Sequence, residues 1–311
     1  MPFFRYPGGK TKLADLIADR LRECLTKDMV EYREPFFGGG GIGLRVMATC
    51  PRIKKLWIND KDPGVASLWT SVIRYPGGLR QRVMDFKPSV EAFDEFRQRL
   101  LALKSAPTDM TEIISAGFMK LAIHQISYSG LGTKSGGPLG GRGQKSKYKI
   151  DCRWSPEYIA KSIGELNEAF KRFEIEQDCC TNLDFERVVQ PGSGALVYLD
   201  PPYYVKGNDL YQCGFEWEDH ARLSRVLRET ENRWVLSYDD CLEVREFYKW
   251  AVCEKVTVNY SITAVKGKKV VKEFGQDREE DANLATQKDE LLIYTENTKK
   301  LMRFSIQQTM F

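Results

Sequence analysis

What the 311-residue sequence lacks narrows its chemistry first. Its eight cysteines are scattered at positions 24, 50, 152, 179, 180, 213, 241 and 253 without a CxxC pair, so neither a zinc site nor a disulfide framework is supported. They read as reduced thiols of a cytoplasmic protein, and the amino terminus has no signal-peptide pattern. The two histidines, His124 and His220, leave little material for a histidine triad or a histidine-rich metal centre, and no metal is expected. No apolar run is long enough to span a bilayer. A formal net charge of +4 is too small to name a polyanionic partner, so the placement of charge matters more than its sum. The hydrophobic share of 42% is ordinary for a soluble chain of this length, which suits one large domain with an insertion or two domains.

Against these absences stands Asp200-Pro201-Pro202-Tyr203, directly after the apolar run at residues 195–199. An aryl amine is a poor nucleophile because its lone pair is delocalised into the ring. Acceptors held against both N–H groups pull the nitrogen toward tetrahedral geometry. The Asp200 carboxylate and the Pro201 carbonyl can be those acceptors, and consecutive prolines keep the backbone from reorganising. Tyr203 offers a stacking face for a flat base. A strand followed by a proline turn, with Asp200 merely capping, is the plainer alternative for an isolated tetrapeptide.

The segments around it alternate between strand-like and helix-like patterns. The Gly/Pro turn at residues 5–10 (RYPGGK) precedes Leu13, Leu16, Ile17 and Leu21 at helical spacing. Residues 30–37 read as a strand that runs into Gly38-Gly39-Gly40-Gly41 and an apolar helix start. Residues 55–58 form a second strand ending at Asn59-Asp60. The pair resembles the first half of a doubly wound nucleotide-binding sheet, which predicts an α/β fold. Glycines let a backbone approach a ligand closely, and Asp60 stands where an acidic side chain takes ribose hydroxyls in such a sheet. A structural loop is the alternative. Residues 173–176, 196–199, 234–237, 252–260 and 290–294 read as further strands, and residues 221–230 as a helix. The mixed-charge segment 264–289 reads as a long surface loop or a hairpin.

The middle of the chain has a different texture. Residues 86–103 and 113–126 are helix-like, and Tyr128-Ser129-Gly130-Leu131 follows them. Residues 133–149 (TKSGGPLGGRGQKSKYK) then carry Lys134, Arg142, Lys145, Lys147 and Lys149 with no acidic residue. A basic, mobile, glycine-rich loop can follow a phosphate backbone and order on it; composition alone equally allows a solvated flexible loop.

Taken in order, these motifs resemble the Dam-like, or D12-class, adenine-N6 DNA methyltransferases. Residues 5–10 look like the family's amino-terminal cofactor motif, and Glu34-Pro35-Phe36-Phe37-Gly38-Gly39-Gly40 like its strand-to-glycine loop. Asn59-Asp60 is similar to the ribose-binding acid, Asp184-Phe185 to the pair beside the cofactor adenine, and Asp200 to Tyr203 to the catalytic motif. The resemblance implies a Rossmann-like S-adenosylmethionine-dependent catalytic domain, discontinuous over residues 1–75 and 165–311. Residues 76–164 would be an inserted, mostly helical target-recognition domain with its basic loop at 133–149.

It further implies S-adenosylmethionine as methyl donor and a flipped adenine of double-stranded DNA as acceptor. Asp200, Pro201, Pro202 and Tyr203 would be catalytic. Tyr6, Lys10, Phe36, Gly38, Gly40, Asp60, Asp184, Phe185 and Asp200 would border the cofactor. Arg5, Lys10, Tyr128, Ser129, Lys134, Arg142, Lys145 and Lys147 would meet DNA, and a palindromic target would suit a homodimer. His124, Gln125 and Ser129 depart from the family's Asn/Arg-rich segment, so the base-reading side chains differ and a GATC target is not implied. Methylation of RNA adenine or of cytosine N4, and a catalytically silent DNA-binding regulator on the same scaffold, are the alternatives.

Overall fold

Short apolar runs closed by Gly, Pro or Asx turns fold as strands, and the amphipathic stretches between them fold as crossover helices. The computed structural model describes residues 4, 6, 10, 13–205, 212–260, 267–273, 276–282 and 286–298. Helix α1 (Ala14–Cys24) buries Ile17, Ala18, Leu21 and Cys24 along one face, as their spacing predicts. Strand β1 (Glu31–Glu34), helix α2 (Gly41–Thr49), strand β2 (Lys55–Ile58) and helix α3 (Pro63–Arg74) follow. Next comes a helical run, α4 (Pro76–Asp85), α5 (Val90–Ala102), α6 (Met110–Ile126) and α7 (Pro156–Phe170). The alternation resumes with β3 (Glu174–Ile175), α8 (Phe185–Val189), β4 (Ala195–Leu199), α9 (Trp217–Glu229), β5 (Arg233–Asp239) and α10 (Leu242–Phe247). Strands β6 (Val252–Tyr260), β7 (Gly267–Glu273), β8 (Gln276–Ala282) and β9 (Thr286–Tyr294) complete the described chain.

Seven strands form one sheet in the order β3-β2-β1-β4-β5-β9-β6. Strands β1 to β5 pair in parallel, and β9 lies antiparallel between β5 and β6. Chain order reverses between β1 and β4, which makes a switch-point crevice at the carboxyl ends of these two strands, where doubly wound sheets bind ligands. The expected α/β, Rossmann-like sheet is therefore present. Segment 264–289 contains the antiparallel hairpin β7–β8, the second of its two expected forms.

All five residues of β4 are buried, as in a strand covered on both faces. Leu196, Tyr198 and Val235 pack into the larger core with α1 to α7, while Val197, Leu199, Trp234 and Leu236 face α8 to α10. Helix α6 has no polar face: every residue from 116 to 126 is buried. It lies against α3 so closely that a Cβ on Gly117 would stand 2.7 Å from the Ser67 carbonyl oxygen and 2.8 Å from Leu68 Cα. Lys120 reaches from α6 to Asp62 at 2.5 Å, and both side chains are buried. The helical run thus shares one continuous core with the sheet, and α7 crosses the boundary expected between residues 164 and 165.

Candidate active site

The crevice is built from strand ends. Beyond β1 the chain turns through Gly38 and Gly40, whose φ values of 48° and 71° lie in the left-handed region that glycine occupies without strain. A Cβ on Gly38 would come within 2.7 Å of the Tyr6 ring, so Tyr6 lies directly on this loop. The Trp69 indole donates to the Gly38 carbonyl at 2.9 Å and fixes the loop from below. Asp60, just past β2, accepts from the Gly38 amide at 2.8 Å and the Asp62 amide at 2.9 Å. Desolvation, helped by the neighbouring Asp62, pushes its carboxyl up to about 7 against those two amide bonds. Glu34, buried at the end of β1 and bonded by the Tyr32 hydroxyl at 2.6 Å, is driven well above the carboxylate range by burial.

The next wall is aromatic. The Asn59 side chain pairs with the backbone of Leu183 in both directions, each bond 2.9 Å, and so clips the segment before α8 to the end of β2. Asp184 caps α8 through the Glu186 amide and is held bidentately by Arg222 at 2.7 and 2.9 Å. Burial works to raise its pKa, but the Arg222 and Glu186 bonds outweigh burial and the net shift is downward. The Arg222 guanidinium covers the Phe185 ring at 4.2 Å, and the rings of Phe36, Phe185 and Phe215 lie 5.6 to 5.8 Å apart.

Asp200 directly follows β4, the strand paired in parallel with β1. Lys10 Nζ donates to both its oxygens, at 2.7 and 2.9 Å, with side-chain exposures of only 5% and 18%. Burial raises the Asp200 pKa and Lys10 opposes that rise. The same ammonium sits 4.4 Å from the centre of the Tyr203 ring, so carboxylate, cation and aromatic face share one spot.

Two acidic residues absent from the sequence reading hold this turn. Glu290, 3% exposed, accepts from the Tyr203 hydroxyl at 2.9 Å. Asp239 accepts from the Tyr204 and Val205 amides at 3.1 and 3.0 Å. They are paired across β5 and β9, and the signal that marks both is an acid at one end of an apolar run, Asp239 after residues 234–238 and Glu290 before residues 291–294.

Of the other expected residues, Arg5 lies outside the described residues. Tyr128 is 64% exposed on a short turn in which Ser129 has a φ of 58°. The segment 133–149, expected to be mobile, is folded: Ser127 and Pro138 form a β-bridge, and Gln144 binds the Leu139 carbonyl and the Ile150 amide. Arg142 is held by both oxygens of Asp94 at 2.9 Å, while Lys145 and Lys147 are exposed. A cleft of about 920 Å³ opens between Tyr128, Leu139, Tyr148 and Arg153. His124 is buried; its Nδ1 meets the Gly130 carbonyl at 2.8 Å and its ring packs on Tyr6. Burial and then Lys120 depress its pKa to about 3, so it is neutral at working pH. Among the described residues there is no cluster of three metal-ligating side chains and no helix long and apolar enough to cross a membrane.

Residues 6–266 match the family of D12 class N6 adenine-specific DNA methyltransferases. The chain belongs to that family. It is 23% identical over 252 residues to the Type II methyltransferase M.CviBI of Paramecium bursaria Chlorella virus NC1A, spanning 79% of this chain and 86% of the viral one. Among solved structures it is similar to the rRNA methyltransferase aviRa from Streptomyces viridochromogenes, at 11% identity and a TM-score of 0.38, over 96% of this chain and 92% of that one. As a D12-class methyltransferase the protein methylates DNA at adenine N6 with a donor of the S-adenosylmethionine type. The residues of the crevice suit such a donor: a turn through two left-handed glycines, a carboxylate just past β2, and aromatic rings before α8.

Proposed function

We propose that this D12-class enzyme methylates N6 of an adenine flipped out of duplex DNA, with S-adenosylmethionine lying along the β1–β2 side of the crevice. The turn through Gly38 and Gly40 would carry the donor, Asp60 its ribose hydroxyls, and Phe36, Phe185 and Asp184 its adenine, with Tyr6 and Lys10 at the border. Bound there, the donor supplies an electrophilic sulfonium methyl. Asp200 and the Pro201 carbonyl accept the two N–H groups of the target amine and orient its lone pair. Tyr203, braced by Glu290, stacks on the extruded base. Proton loss follows methylation, when the nitrogen has become acidic. Asp200 therefore positions the amine rather than activating it by prior deprotonation.

One observation carries this reading: the Asp200 carboxylate already grips an N–H donor with both oxygens at the Tyr203 face. Residues 76–164 are proposed as the target-recognition part, with Tyr128, Ser129, Lys134, Arg142, Lys145 and Lys147 on the DNA. Arg142 must exchange Asp94 for phosphate to serve there. Expression in a host lacking adenine methylation, followed by mapping of methylated bases, tests base identity and sequence context together. Asp200→Ala should abolish the marks. Wild-type marking by that variant refutes the catalytic assignment. Neutralising Lys145 and Lys147 should lower DNA affinity and flatten its salt dependence.

A further inference from the structure

The position of the Lys10 ammonium has a chemical consequence that DNA methylation does not require. An acceptor nitrogen in this site must meet Asp200 at hydrogen-bond distance and lie against Tyr203. Lys10 Nζ does both, at 2.7 and 2.9 Å from the carboxylate oxygens and 4.4 Å from the ring centre. Its side chain is 5% exposed, so it stands inside the site and not at its mouth. Any nitrogen in that place faces the same methyl donor, and an alkylamine, whose lone pair no ring delocalises, is the stronger nucleophile once deprotonated. Resting on the function proposed above, we propose that Lys10 is itself a methyl acceptor when no DNA base occupies the site.

The step balances. Asp200 takes one proton from the ammonium, and the freed lone pair forms an N–C bond as the methyl–sulfur bond breaks. The bonding pair leaves with sulfur as a neutral thioether. Nζ becomes a secondary ammonium, and the proton on Asp200 passes to solvent. Methylation keeps the lysine charge and leaves two N–H donors, enough to satisfy both Asp200 oxygens again. The added methyl lies where the target amine must enter. A methylated Lys10 therefore slows acceptance of a base, and DNA bound in the site protects Lys10.

The experiment incubates the purified full chain with S-adenosylmethionine carrying an isotopically labelled methyl, with and without unmethylated genomic DNA. Peptide mass spectrometry reads Lys10, and methyl incorporation into DNA is measured in parallel. The expected result is a gain of one methyl mass at Lys10 without DNA, its suppression by saturating DNA, and its loss in Asp200→Ala. Lys10→Arg should leave the corresponding peptide unlabelled. DNA methylated by a protein whose Lys10 stays unlabelled overturns the inference and leaves the proposed function standing. Label at Lys10 with none in DNA supports the inference and overturns that function. Label in neither overturns both. Equal labelling of Lys10 in Asp200→Ala overturns the inference, because the carboxylate would have no part in the transfer.

Discussion

The proposed role of Asp60 makes donor affinity depend on pH near neutrality, and the sign follows from its surroundings. Its carboxyl is raised from 3.8 to about 7, first by desolvation and then by Asp62, with the Asp62 and Gly38 amides opposing. Ribose hydroxyls donating to Asp60 favour the ionised form, so binding lowers its pKa and releases a proton in the range between the lowered value and about 7. Acidification must therefore weaken binding. For a group of pKa about 7, moving from about pH 8 to about pH 6 cuts the ionised fraction from roughly nine-tenths to one-tenth, about tenfold in affinity or about 1.4 kcal/mol. Folding stability carries the companion effect. Between about 4 and about 7 the folded chain holds this proton and the unfolded chain does not, so the Asp60 contribution to stability falls as pH rises through that window.

Titration calorimetry of S-adenosylmethionine across this range, in two buffers of different ionisation enthalpy, reads affinity and proton release together. Asp200 and Glu34 are also shifted upward by burial, so the control is Asp60→Asn, which should weaken binding and remove most of the pH slope. Affinity that stays flat or rises on acidification, or a slope unchanged in Asp60→Asn, refutes the assignment of Asp60 to the ribose.

Glu290→Ala strips the Tyr203 hydroxyl of its buried acceptor and should cost about 1–3 kcal/mol in denaturant unfolding, part of it recovered by adding Tyr203→Phe; it should also lower kcat/KM for DNA, and unchanged kinetics would refute the bracing role. Lys120→Ala leaves Asp62 buried and unpaired and should cost about 3–5 kcal/mol in denaturant unfolding, whereas Lys120→Met with Asp62→Asn should cost much less. Gly117→Val drives a side chain into the α3 backbone and should destabilise by at least about 1–3 kcal/mol in the same assay.

The halves of the site were legible in the sequence because each is a local pattern. An apolar run ending in glycines or in Asp-Pro-Pro-Tyr announces a strand end, and both became the expected strand ends, β1 and β4. Pairs from distant parts of the chain were illegible. Lys10 and Asp200 stand 190 positions apart and Tyr203 and Glu290 stand 87 apart, and no periodicity relates them. The Arg222 clasp on Asp184 was hidden likewise, since Arg222 reads as an ordinary charge on an amphipathic helix. Asp62-Pro63-Gly64 looks like a turn in sequence, yet it opens helix α3, with Asp62 as its cap and Pro63 at its first position. Composition marks the basic loop but does not show that Gln144, Asp94 and a backbone bridge fold it.

Charge movement connects Lys10 with the working site. In methyl transfer to an amine, positive charge leaves sulfur and grows on the acceptor nitrogen, the atom that Asp200 faces. A carboxylate fixed at that place in a poorly solvated crevice stabilises charge as it arrives. With Lys10 paired to both its oxygens, the carboxylate is already neutralised, and the benefit to an incoming amine is largely cancelled. On the proposed mechanism, base entry does two things at once: it fills the Tyr203 face and moves the Lys10 ammonium off Asp200. A phosphate of the bound DNA is a suitable new partner for that ammonium, because exchanging one anion for another avoids leaving the cation unpaired. On the proposed mechanism the Asp200 carboxylate becomes fully effective only when DNA is in place, and without DNA its charge is held by Lys10.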